Sequence, residues 1–365
     1  MNHLEEALGL AERGWGATSP NPAVGAVVVR DGEVVGRGYH TWAGMKHAEV
    51  LAIEEARERA RGGTLYVTLE PCAHHGRTPP CIDAILASGV RKVVAPIEDP
   101  NPQTRGRGFT RLRDAGIEVE VAGEYAARAT EINEPFIHFM RTGRPLVTLK
   151  AAVTLDGKIA APEDNAGWIT SETARAHVQT LRHRSDAILT GIGTVLADDC
   201  RLTDRSGLER SRPLLRIVLD SQLRLPSDSR LVTSCNSDVL VVTTSAASPD
   251  RKRRLESMGV RVEVLERTDG RASLQGVVEL LARDKYLSLM IEAGSRVNWS
   301  ALESGVADKI FFYYAPKILG GTQSLPVAGG TGRRRRKDAI QFRNVRLHSI
   351  AQDEFAVEAW VERAD

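Results

Sequence analysis

Residues 64–81 read TLYVTLEPCAHHGRTPPC, and this stretch determines the expected fold of the first half of the chain. Residues 64–69 are largely β-branched and apolar, as in a buried strand, and they run directly into Glu70-Pro71-Cys72. On both sides of this strand, further strand-like and helix-like segments alternate. The expected strands are 24–29, 34–39, 92–95 and 117–121, and the expected helices are 4–13, 48–60, 82–88 and a segment from Phe109. The alternation predicts an α/β domain in which helices cover a sheet.

The second half of the chain repeats an α/β pattern after a junction. A predicted helix over 125–140 is followed by RTGRP at 141–145, a short basic segment with glycine and proline that is typical of a domain junction. We expect a first domain at 1–144 and a second at 145–365. Strands of the second domain are predicted at 146–153, 187–189, 214–219, 239–243, 260–265, 287–291, 309–314, 344–350 and 355–361, and helices at 171–182, 249–258 and 273–282.

Length and composition limit the class of protein. The 365 residues predict two or three domains, and 42% hydrophobic with 26% charged residues is the balance of ordinary globular domains. A formal net charge of +2 gives no whole-chain argument for a nucleic-acid or membrane partner. No apolar run has the length of a membrane span, and the acidic start MNHLEE is unlike a secretory signal. Four cysteines are too few for a disulfide framework, so we expect a cytoplasmic protein whose paired cysteines serve metal or catalysis.

His47, Cys72 and Cys81 have the composition of a catalytic zinc site. Zinc in such a site takes three protein ligands and keeps one position open for water, and an imidazole with two thiolates provides that set. Glu49, two residues after His47 at the start of a predicted helix, can move protons for the water without binding the metal. The order H-x-E, then P-C and a further C, is that of zinc deaminases, in which hydroxide attacks an amine-bearing carbon. The alternative is a surface histidine, a capping glutamate and two structural cysteines.

The first half resembles a known family over three motifs. Residues 71–81, PCAHHGRTPPC, place eight residues between the cysteines instead of two, and they accompany NPAVG at 21–25 and HAE at 47–49. This combination resembles the deaminase half of the bifunctional riboflavin-biosynthesis deaminase/reductases, which implies a cytidine-deaminase-like α/β/α fold. The resemblance implies zinc bound by His47, Cys72 and Cys81, with Glu49 as the catalytic proton shuttle. It also implies that the pyrimidine and its ribose phosphate are bound by Asn21, His40, His74, Arg77, Asp99 and Asn101.

Two of these substrate residues can be judged on physical grounds as well. Arg77 suits the phosphate because its guanidinium can bond oxygens in pairs. His74 is equally compatible with packing of its own loop.

No standard dinucleotide fingerprint occurs in the second half. There is no G-x-G-x-x-G after its first strand and no phosphate-loop lysine motif. Three glycine-bearing turns lie at strand ends: TGIGT at 190–194, EAGS at 292–295 and the pair Gly320-Gly321. Such turns let backbone amides approach phosphates, although a tight structural turn is the simpler interpretation of each one alone.

Four further segments resemble the reductase half of the same family. TLKAAVTLDGKIA at 148–160, WITS at 168–171, TVLADD at 194–199 and IEAG at 291–294 occur in the family's order, so the resemblance covers essentially the whole chain. It implies a dihydrofolate-reductase-like α/β domain that uses NADPH. The residues implied to contact the cofactor are Ala152, Trp168, Thr194, Asp198, Gly294, Ser295, Arg296, Val297, Asn298, Trp299 and Ser300. Those implied to contact the substrate are Ala166, Arg182, Leu202, Arg205 and Glu292.

Lys150 and Asp198 are the charged catalytic groups expected nearest the hydride transfer. Reduction of the opened ribose needs a proton donor or a polarising charge beside the carbon that takes the hydride, and a lysine tuned by burial can serve. A strand-end salt bridge is the alternative for both. Ala166 and Cys200 depart from the family, which more often has a hydroxyl or glycine residue at the first position and proline at the second.

RRRRK at 333–337, with Arg343 and Arg346, is a strong local cluster of positive charge. Together with an H-x-E deaminase it fits a nucleic-acid-editing enzyme that flips a base into its pocket. No aromatic residues are interleaved with the arginines for base stacking, which favours a solvated loop.

The preferred hypothesis is therefore a bifunctional enzyme of riboflavin biosynthesis. Zinc-dependent hydrolytic deamination of 2,5-diamino-6-(5-phosphoribosylamino)pyrimidin-4(3H)-one gives 5-amino-6-(5-phosphoribosylamino)uracil and ammonia, and NADPH then reduces the ribosyl to the ribityl chain. The alternatives are an editing deaminase with a basic accessory domain and a non-catalytic zinc-stabilised binding module. Glu49 argues against the binding module, since a structural zinc site has no use for a free carboxylate. We expect a small-molecule substrate, no nucleic-acid or membrane partner, and a homo-oligomer, either a dimer or a tetramer.

Overall fold

The computed structural model describes residues 2–42, 45–74, 79–163, 167–267 and 269–363. Two compact units divide the chain: Met1–Gly143 with Glu209–Arg212, and Arg144–Leu208 with Pro213–Asp365. Strands and helices alternate in both units, so the α/β class expected for each half is confirmed. Within the described ranges, no helix is both long and apolar enough to cross a membrane.

The first unit is a five-stranded sheet with helices against it. Its helices are α1 (His3–Glu12), α2 (Ala48–Ala56), α3 (Cys81–Ser88), α4 (Arg107–Asp114), α5 (Ala126–Ile132) and α6 (Glu134–Thr142). Its strands are β1 (Gly25–Arg30), β2 (Glu33–Tyr39), β3 (Thr64–Val67), β4 (Lys92–Ala95) and β5 (Glu118–Val121), in the order β2-β1-β3-β4-β5. β1 is antiparallel to β2 and β3, whereas β3, β4 and β5 are parallel. The carboxyl ends of the three parallel strands therefore meet at one edge, which is where open α/β sheets bind ligands.

α2 lies directly on β2 because two glycines remove the side chains between them. A Cβ on Gly36 would be 2.1 Å from the carbonyl oxygen of Ala52, and one on Gly38 would be 2.2 Å from that of Ala48. Glycine within a strand commonly marks such a close approach of another backbone. The contact fixes the start of α2, where His47 is the N-cap.

Two helices predicted from the sequence are interrupted. The helix predicted over 48–60 ends at Ala56, because Arg57 has a φ of +52°, and a 3-10 turn follows over Arg57–Ala60. The helix predicted over 125–140 is divided into α5 and α6 at Asn133, whose side chain bonds both the N–H and the carbonyl group of Ala23. Hydrophobic spacing along a segment carries no signal of such distant bonds.

The second unit is built on a nine-stranded sheet. Its helices are α7 (Glu172–Arg184), α8 (Ile192–Asp198), α9 (Arg230–Thr233), α10 (Pro249–Ser257), α11 (Leu274–Arg283) and α12 (Ser295–Glu303). Its strands are β6 (Leu146–Thr154), β7 (Lys158–Ala160), β8 (Ala187–Gly191), β9 (Leu215–Leu219), β10 (Val239–Thr243), β11 (Arg261–Val264), β12 (Ser288–Ile291), β13 (Lys309–Ala315), β14 (Leu325–Pro326), β15 (Phe342–Ala351) and β16 (Glu354–Val361). The order is β11-β10-β9-β8-β12-β6-β13-β16-β15, and β7 pairs separately with β14. The strands are parallel from β11 to β13, and β16 and β15 are added antiparallel.

Both faces of the central strands are buried. On β12, Leu289 and Ile291 face one apolar cluster and Met290 faces another. This double burial explains the continuous apolar runs in the sequence, since alternation disappears when helices cover both faces of a parallel sheet. On β6, Lys150 lies between Leu149 and Ala151, which both face the first cluster, so its charged side chain points to the opposite face.

Two of the glycine-bearing turns predicted from the sequence begin helices. Gly191 and Gly294 are the N-caps of α8 and α12, which start at the carboxyl ends of the neighbouring parallel strands β8 and β12. Neither helix was predicted, because segments of seven and nine residues are too short to display a helical period clearly.

Candidate active sites in the two units

The first unit brings His47, Cys72 and Cys81 together. Nδ1 of His47 lies 3.0 Å from Sγ of Cys81 and 3.6 Å from Sγ of Cys72, and the three ligand atoms all lie within 4.8 Å of one another. Cys72 follows β3 and Cys81 begins α3, so the sheet edge and two helix starts supply one ligand each. One imidazole and two sulfurs at this spacing fit a zinc ion with a fourth position left for water.

The two thiols do not titrate alike. A hydrogen bond from Cys81 lowers the pKa of Cys72 to about 4, helped by the bond from His47. In the same hydrogen bond Cys81 is the donor and keeps its proton, which raises the pKa of Cys81. The hydrogen bond between His47 and Cys72 raises the pKa of His47. Cys72 is therefore a thiolate at neutral pH, which is the form that binds metal.

Glu49 lies buried in the first turn of α2, beside these ligands. Burial raises the pKa of its carboxyl group, and the negative charge of Cys72 raises it further. A raised pKa is the direction required of a carboxyl group that takes up a proton and passes it on.

His40 and Asn21 lie next to the metal ligands. The ring of His40 stands edge-on to that of His47, with the ring centroids 5.2 Å apart. Nδ1 of His40 is 3.3 Å from the carbonyl oxygen of Lys46, which can only accept, so Nδ1 donates and Nε2 accepts from the side-chain amide of Asn21 at 3.2 Å. Burial lowers the pKa of His40, in agreement with a neutral ring.

The remaining substrate residues predicted in this unit are placed differently. Asp99 accepts from the N–H of Asn101 and from the hydroxyl of Thr104, and Asn101 accepts from the N–H of Gln103, so both side chains shape their own loop. His74 is exposed. Arg77 lies outside the described residues, as does the rest of 75–78.

In the second unit, Glu292 joins two cations. Directly after β12, its carboxylate accepts from Nζ of Lys150 at 2.9 Å and from Nη2 and Nε of Arg182 at 2.8 and 3.1 Å. Burial would raise the pKa of Glu292, but the charges of Lys150 and Arg182 outweigh it and lower the pKa to about 2. Arg182 also donates to the carbonyl oxygen of Thr203 at 2.9 Å, which fixes the loop after α8 to the same group.

Asp198 is the last residue of α8 and is exposed. Burial raises the pKa of the Cys200 thiol to about 11, and the charges of Asp198, Glu292 and Arg182 have smaller effects on it. Partial burial likewise raises the pKa of Asp198. Thr194, half-buried on the same helix, lies 3.7 Å from the position of a Cβ on Gly294.

The other residues predicted for the second site are spread around this edge. Ala152 is half-buried on β6, two residues after Lys150. Trp168 is exposed, and the guanidinium of Arg175 stacks on its ring at 5.0 Å from the centroid. Leu202 is buried and Arg205 is exposed. Ala166 lies outside the described residues.

Two helix starts form a cradle suited to a dinucleotide. The N-cap residues Gly191 and Gly294 have no side chain to bond the first-turn N–H groups of α8 and α12. A Cβ on Gly191 would be 2.9 Å from Cγ2 of Val297, so the two starts are adjacent. Backbone N–H groups and helix dipoles at such ends bind phosphates, and this arrangement fits the diphosphate of NADPH.

Two side chains of the predicted cofactor segment form hydrogen bonds with other parts of the protein. Ser295 donates to the carbonyl oxygen of Pro326, and Asn298 donates to that of Val327 at 2.8 Å. The guanidinium of Arg333, first of the basic run, lies 5.7 Å from the centroid of Trp299. Arg296 is exposed, and Ser300 is half-buried.

Sequence reasoning missed two buried hydroxyls at this edge. Thr190 and Thr243 stand at the carboxyl ends of β8 and β10, and the hydroxyl of each is buried without a hydrogen-bond partner among the described residues. Buried polar groups are rarely left unbonded, so these hydroxyls point to a bound molecule or ordered water. The available signal was a threonine closing an otherwise apolar strand.

Comparison with known families identifies a domain type in each half of the chain. Residues 1–96 match the model of the cytidine and deoxycytidylate deaminase zinc-binding region, and residues 145–354 match that of the RibD C-terminal domain. Zinc in the first domain and NADPH in the second, both expected from the sequence, are confirmed as the cofactors of these domain types.

Full-length relatives are similar throughout. The riboflavin biosynthesis protein RibD of Actinobacillus pleuropneumoniae is 41% identical over 97% of this chain and 93% of its own length, and that of Escherichia coli is 42% identical over 96% of both. The solved structure of Acinetobacter baumannii RibD is 34% identical, with a TM-score of 0.86 over 99% of this chain and 98% of that one. The Thermotoga maritima structure described as a diaminohydroxyphosphoribosylaminopyrimidine deaminase/5-amino-6-(5-phosphoribosylamino)uracil reductase is 36% identical, with a TM-score of 0.82 over the same shares.

These findings confirm the fold class and the bifunctional activity expected from the motifs. The chain belongs to the RibD family of riboflavin biosynthesis proteins, bifunctional enzymes with a zinc-binding deaminase domain followed by a reductase domain.

Proposed function

We propose that the first unit deaminates 2,5-diamino-6-(5-phosphoribosylamino)pyrimidin-4(3H)-one to 5-amino-6-(5-phosphoribosylamino)uracil, and that the second reduces the ribosyl to the ribityl chain of that product. The observation that carries the proposal is the buried carboxyl of Glu49 beside the group of His47, Cys72 and Cys81. A structural metal site has no need of this carboxyl, whereas hydrolytic deamination requires one. The Thermotoga maritima relative is described by both activities.

In the deaminase, His47, Cys72 and Cys81 would hold the zinc, which would supply a Lewis acid for hydrolysis at neutral pH. Glu49 takes a proton from the attacking water and passes it to the ring nitrogen, then moves the remaining hydroxyl proton to the amine that leaves as ammonia, so that one water is consumed for each ammonia released. Asn21 and the neutral ring of His40 orient the pyrimidine beside these groups. We assign the substrate's ribose phosphate to His74, Arg77, Asp99 and Asn101.

In the reductase, Lys150 is held by Glu292 on the face of β6 that carries charge. NADPH supplies the hydride when bound. The ammonium of Lys150 gives a proton to the ring oxygen of the ribose as the ring opens, which leaves a C1′ iminium that takes the hydride, so that C1′ becomes a CH2–NH group and the ring oxygen becomes a hydroxyl. Asp198 acts beside it, and the substrate is held by Arg182, Glu292, Leu202, Arg205 and Ala166.

The cofactor-binding proposal combines the two helix starts with the residues around them. The first-turn N–H groups of α8 and α12 take the diphosphate. The remaining contacts are assigned to Ala152, Trp168, Thr194, Asp198 and the segment Gly294, Ser295, Arg296, Val297, Asn298, Trp299 and Ser300.

We further propose a cytoplasmic homo-oligomer, a dimer or tetramer, that takes a small-molecule substrate and has no nucleic-acid or membrane partner. Its four cysteines are free thiols, as in reducing compartments. β15 is an edge strand of the large sheet, and Val345 and Leu347 on it are 59% and 73% exposed. Edge strands with exposed apolar side chains favour pairing with another chain. Arg335 of the basic run is paired with Asp338 of its own loop.

The proposal is tested with Glu49→Gln, which keeps the size of the side chain and removes the proton-accepting group. Ammonia release should fall by about a hundredfold or more, whereas zinc content and NADPH oxidation on the deaminated product should stay unchanged. Glu54→Gln is the matched control, because Glu54 lies on the same helix, exposed and paired with Lys46. Undiminished ammonia release from Glu49→Gln contradicts the role assigned to Glu49, and loss of both activities together contradicts two independent sites.

A further inference from the structure

Glu70 is a buried carboxylate between the end of β3 and the metal ligand Cys72. Only 4% of it is exposed. Its two oxygens accept from four backbone N–H groups, all at 2.8–3.2 Å: those of Gly108 and Phe109 at Oε1 and those of Asp99 and Gly106 at Oε2. A carboxylate so fully committed to backbone donors has no part in proton transfer.

The two pairs of donors belong to different elements. Gly108 and Phe109 lie in the first turn of α4, so Oε1 caps that helix and benefits from its dipole. Asp99 and Gly106 lie in the loop between β4 and α4, so Oε2 holds both ends of that loop. The N–H of Glu70 also donates to the carbonyl oxygen of Ile97 at 3.1 Å. One residue thus ties the end of β3 to the whole connection that follows β4.

The contact depends on close packing at Gly108. A Cβ there would be 2.1 Å from the carbonyl oxygen of Pro71 and 3.1 Å from both Cγ and Oε1 of Glu70. Any larger residue would push α4 away from the segment that leads into Cys72. The distance between this segment and α4 is therefore set by Glu70 and Gly108 together.

The loop held by Glu70 borders an open surface depression next to Ala73, the residue that follows Cys72. The depression has a volume of about 430 Å³. One wall is Ala73, the residue after Cys72. The other walls come from the loop and the start of α4: Arg105, Gly106, Arg107, Thr110 and Arg111. The same loop carries Asp99 and Asn101, whose side chains stiffen it by bonds within the loop.

We propose that Glu70 is a positioning residue of the deaminase, which sets the distance between the 97–106 loop and the metal-binding segment and thereby controls substrate affinity. The inference rests on the deaminase function proposed above. In this proposal the loop contacts the substrate, whereas the groups that take part in the reaction are those of His47, Glu49 and Cys72.

Glu70→Gln tests this role. The amide oxygen can still accept from one pair of N–H groups, but the amide nitrogen is a donor and faces the other pair, which loses its acceptor. We expect the KM for the diaminopyrimidine phosphate to rise about tenfold and kcat to change by less than about threefold. Zinc content should remain one per chain. NADPH oxidation on the deaminated product reports that the second unit is intact.

Glu98→Gln is the matched control. Glu98 lies on the same loop and also loses a negative charge, but its bond to Arg105 is on the surface, with the two side chains 41% and 68% exposed. Its KM should equal that of the unchanged protein.

Gly106→Ala is a milder second variant for the case in which Glu70→Gln does not fold. Gly106 has a φ of +74°, and nothing lies within 4 Å of the position of its Cβ, so alanine strains the loop without a clash. Strain of about 1 kcal/mol corresponds to a rise in KM of up to about fivefold.

The outcomes are distinguishable. An unchanged KM in these variants overturns the inference. Loss of zinc or of kcat at an unchanged KM also overturns it, because Glu70 would then serve the metal or the fold. If the unchanged protein releases no ammonia from the substrate, the proposed function fails before the variants are compared.

Discussion

Replacing Glu292 by glutamine should destabilise the second unit in a pH-dependent way. The carboxylate lies between Lys150 and Arg182, and its side chain is 20% exposed. Its pKa is about 2 in the folded chain against an ordinary 4.5, and since each pKa unit corresponds to about 1.4 kcal/mol, ionised Glu292 contributes about 3–4 kcal/mol. Removal of one partner from a buried ion pair typically costs about 3–5 kcal/mol, and the contribution worked out from the pKa of Glu292 is of the same size.

The sign follows from the lowered pKa. A carboxyl group whose pKa is lower in the folded than in the unfolded chain adds stability above the unfolded value, and this stability is lost as the pH falls toward the folded value. The contribution of Glu292 is therefore complete above pH 5, falls to about half near pH 3 and disappears below pH 2. The glutamine variant has no such group, so its difference from the unchanged protein should shrink over the same pH range.

Urea unfolding followed by circular dichroism at pH 7 and pH 3 measures both quantities. Glu279→Gln is the control, because Glu279 is exposed and makes a bond to Gln275 on the surface of α11. A difference of less than about 1 kcal/mol at pH 7, or an equal difference at both pH values, refutes the assignment of a buried, doubly paired carboxylate.

Two further outcomes are expected. Lys150→Met should lower NADPH oxidation on the deaminated product by about a hundredfold or more and leave ammonia release unchanged, measured in separate assays of the two steps; an equal loss in both contradicts separate sites. Gly36→Ala should destabilise the first unit by about 1–3 kcal/mol and reduce zinc content, because the new Cβ would lie 2.1 Å from the carbonyl oxygen of Ala52 under the ligand-bearing helix. Gly9→Ala is its control, since nothing lies within 4 Å of that Cβ, and calorimetry showing equal stability for both variants refutes the packing argument.

The metal site was the part most readily predicted from the sequence. His47, Cys72 and Cys81 each lie next to a helix start or strand end, and their residue types admit few other shared uses. The α/β alternation was also predictable, because apolar runs and helical spacing are local properties. The limits of short helices such as α8 were not, since their stability comes from contacts with distant strands.

In the second site, less of the arrangement could be predicted from the sequence. Lys150, Arg182 and Glu292 were predicted as separate residues, but their charge cluster was not, because the pairs are 142 and 110 positions apart in the chain. They meet because β12 lies beside β6 and β8, and strand order is a property of the whole sheet.

Residue chemistry and local period therefore identify this protein's α/β class, its candidate metal-binding residues and its family motifs. The four donors of Glu70, the adjacency of the α8 and α12 starts and the unbonded hydroxyls of Thr190 and Thr243 appear only in the folded chain. The physical reason is that burial and hydrogen-bond satisfaction depend on which segments are neighbours in space, and a segment's own residues do not specify its neighbours.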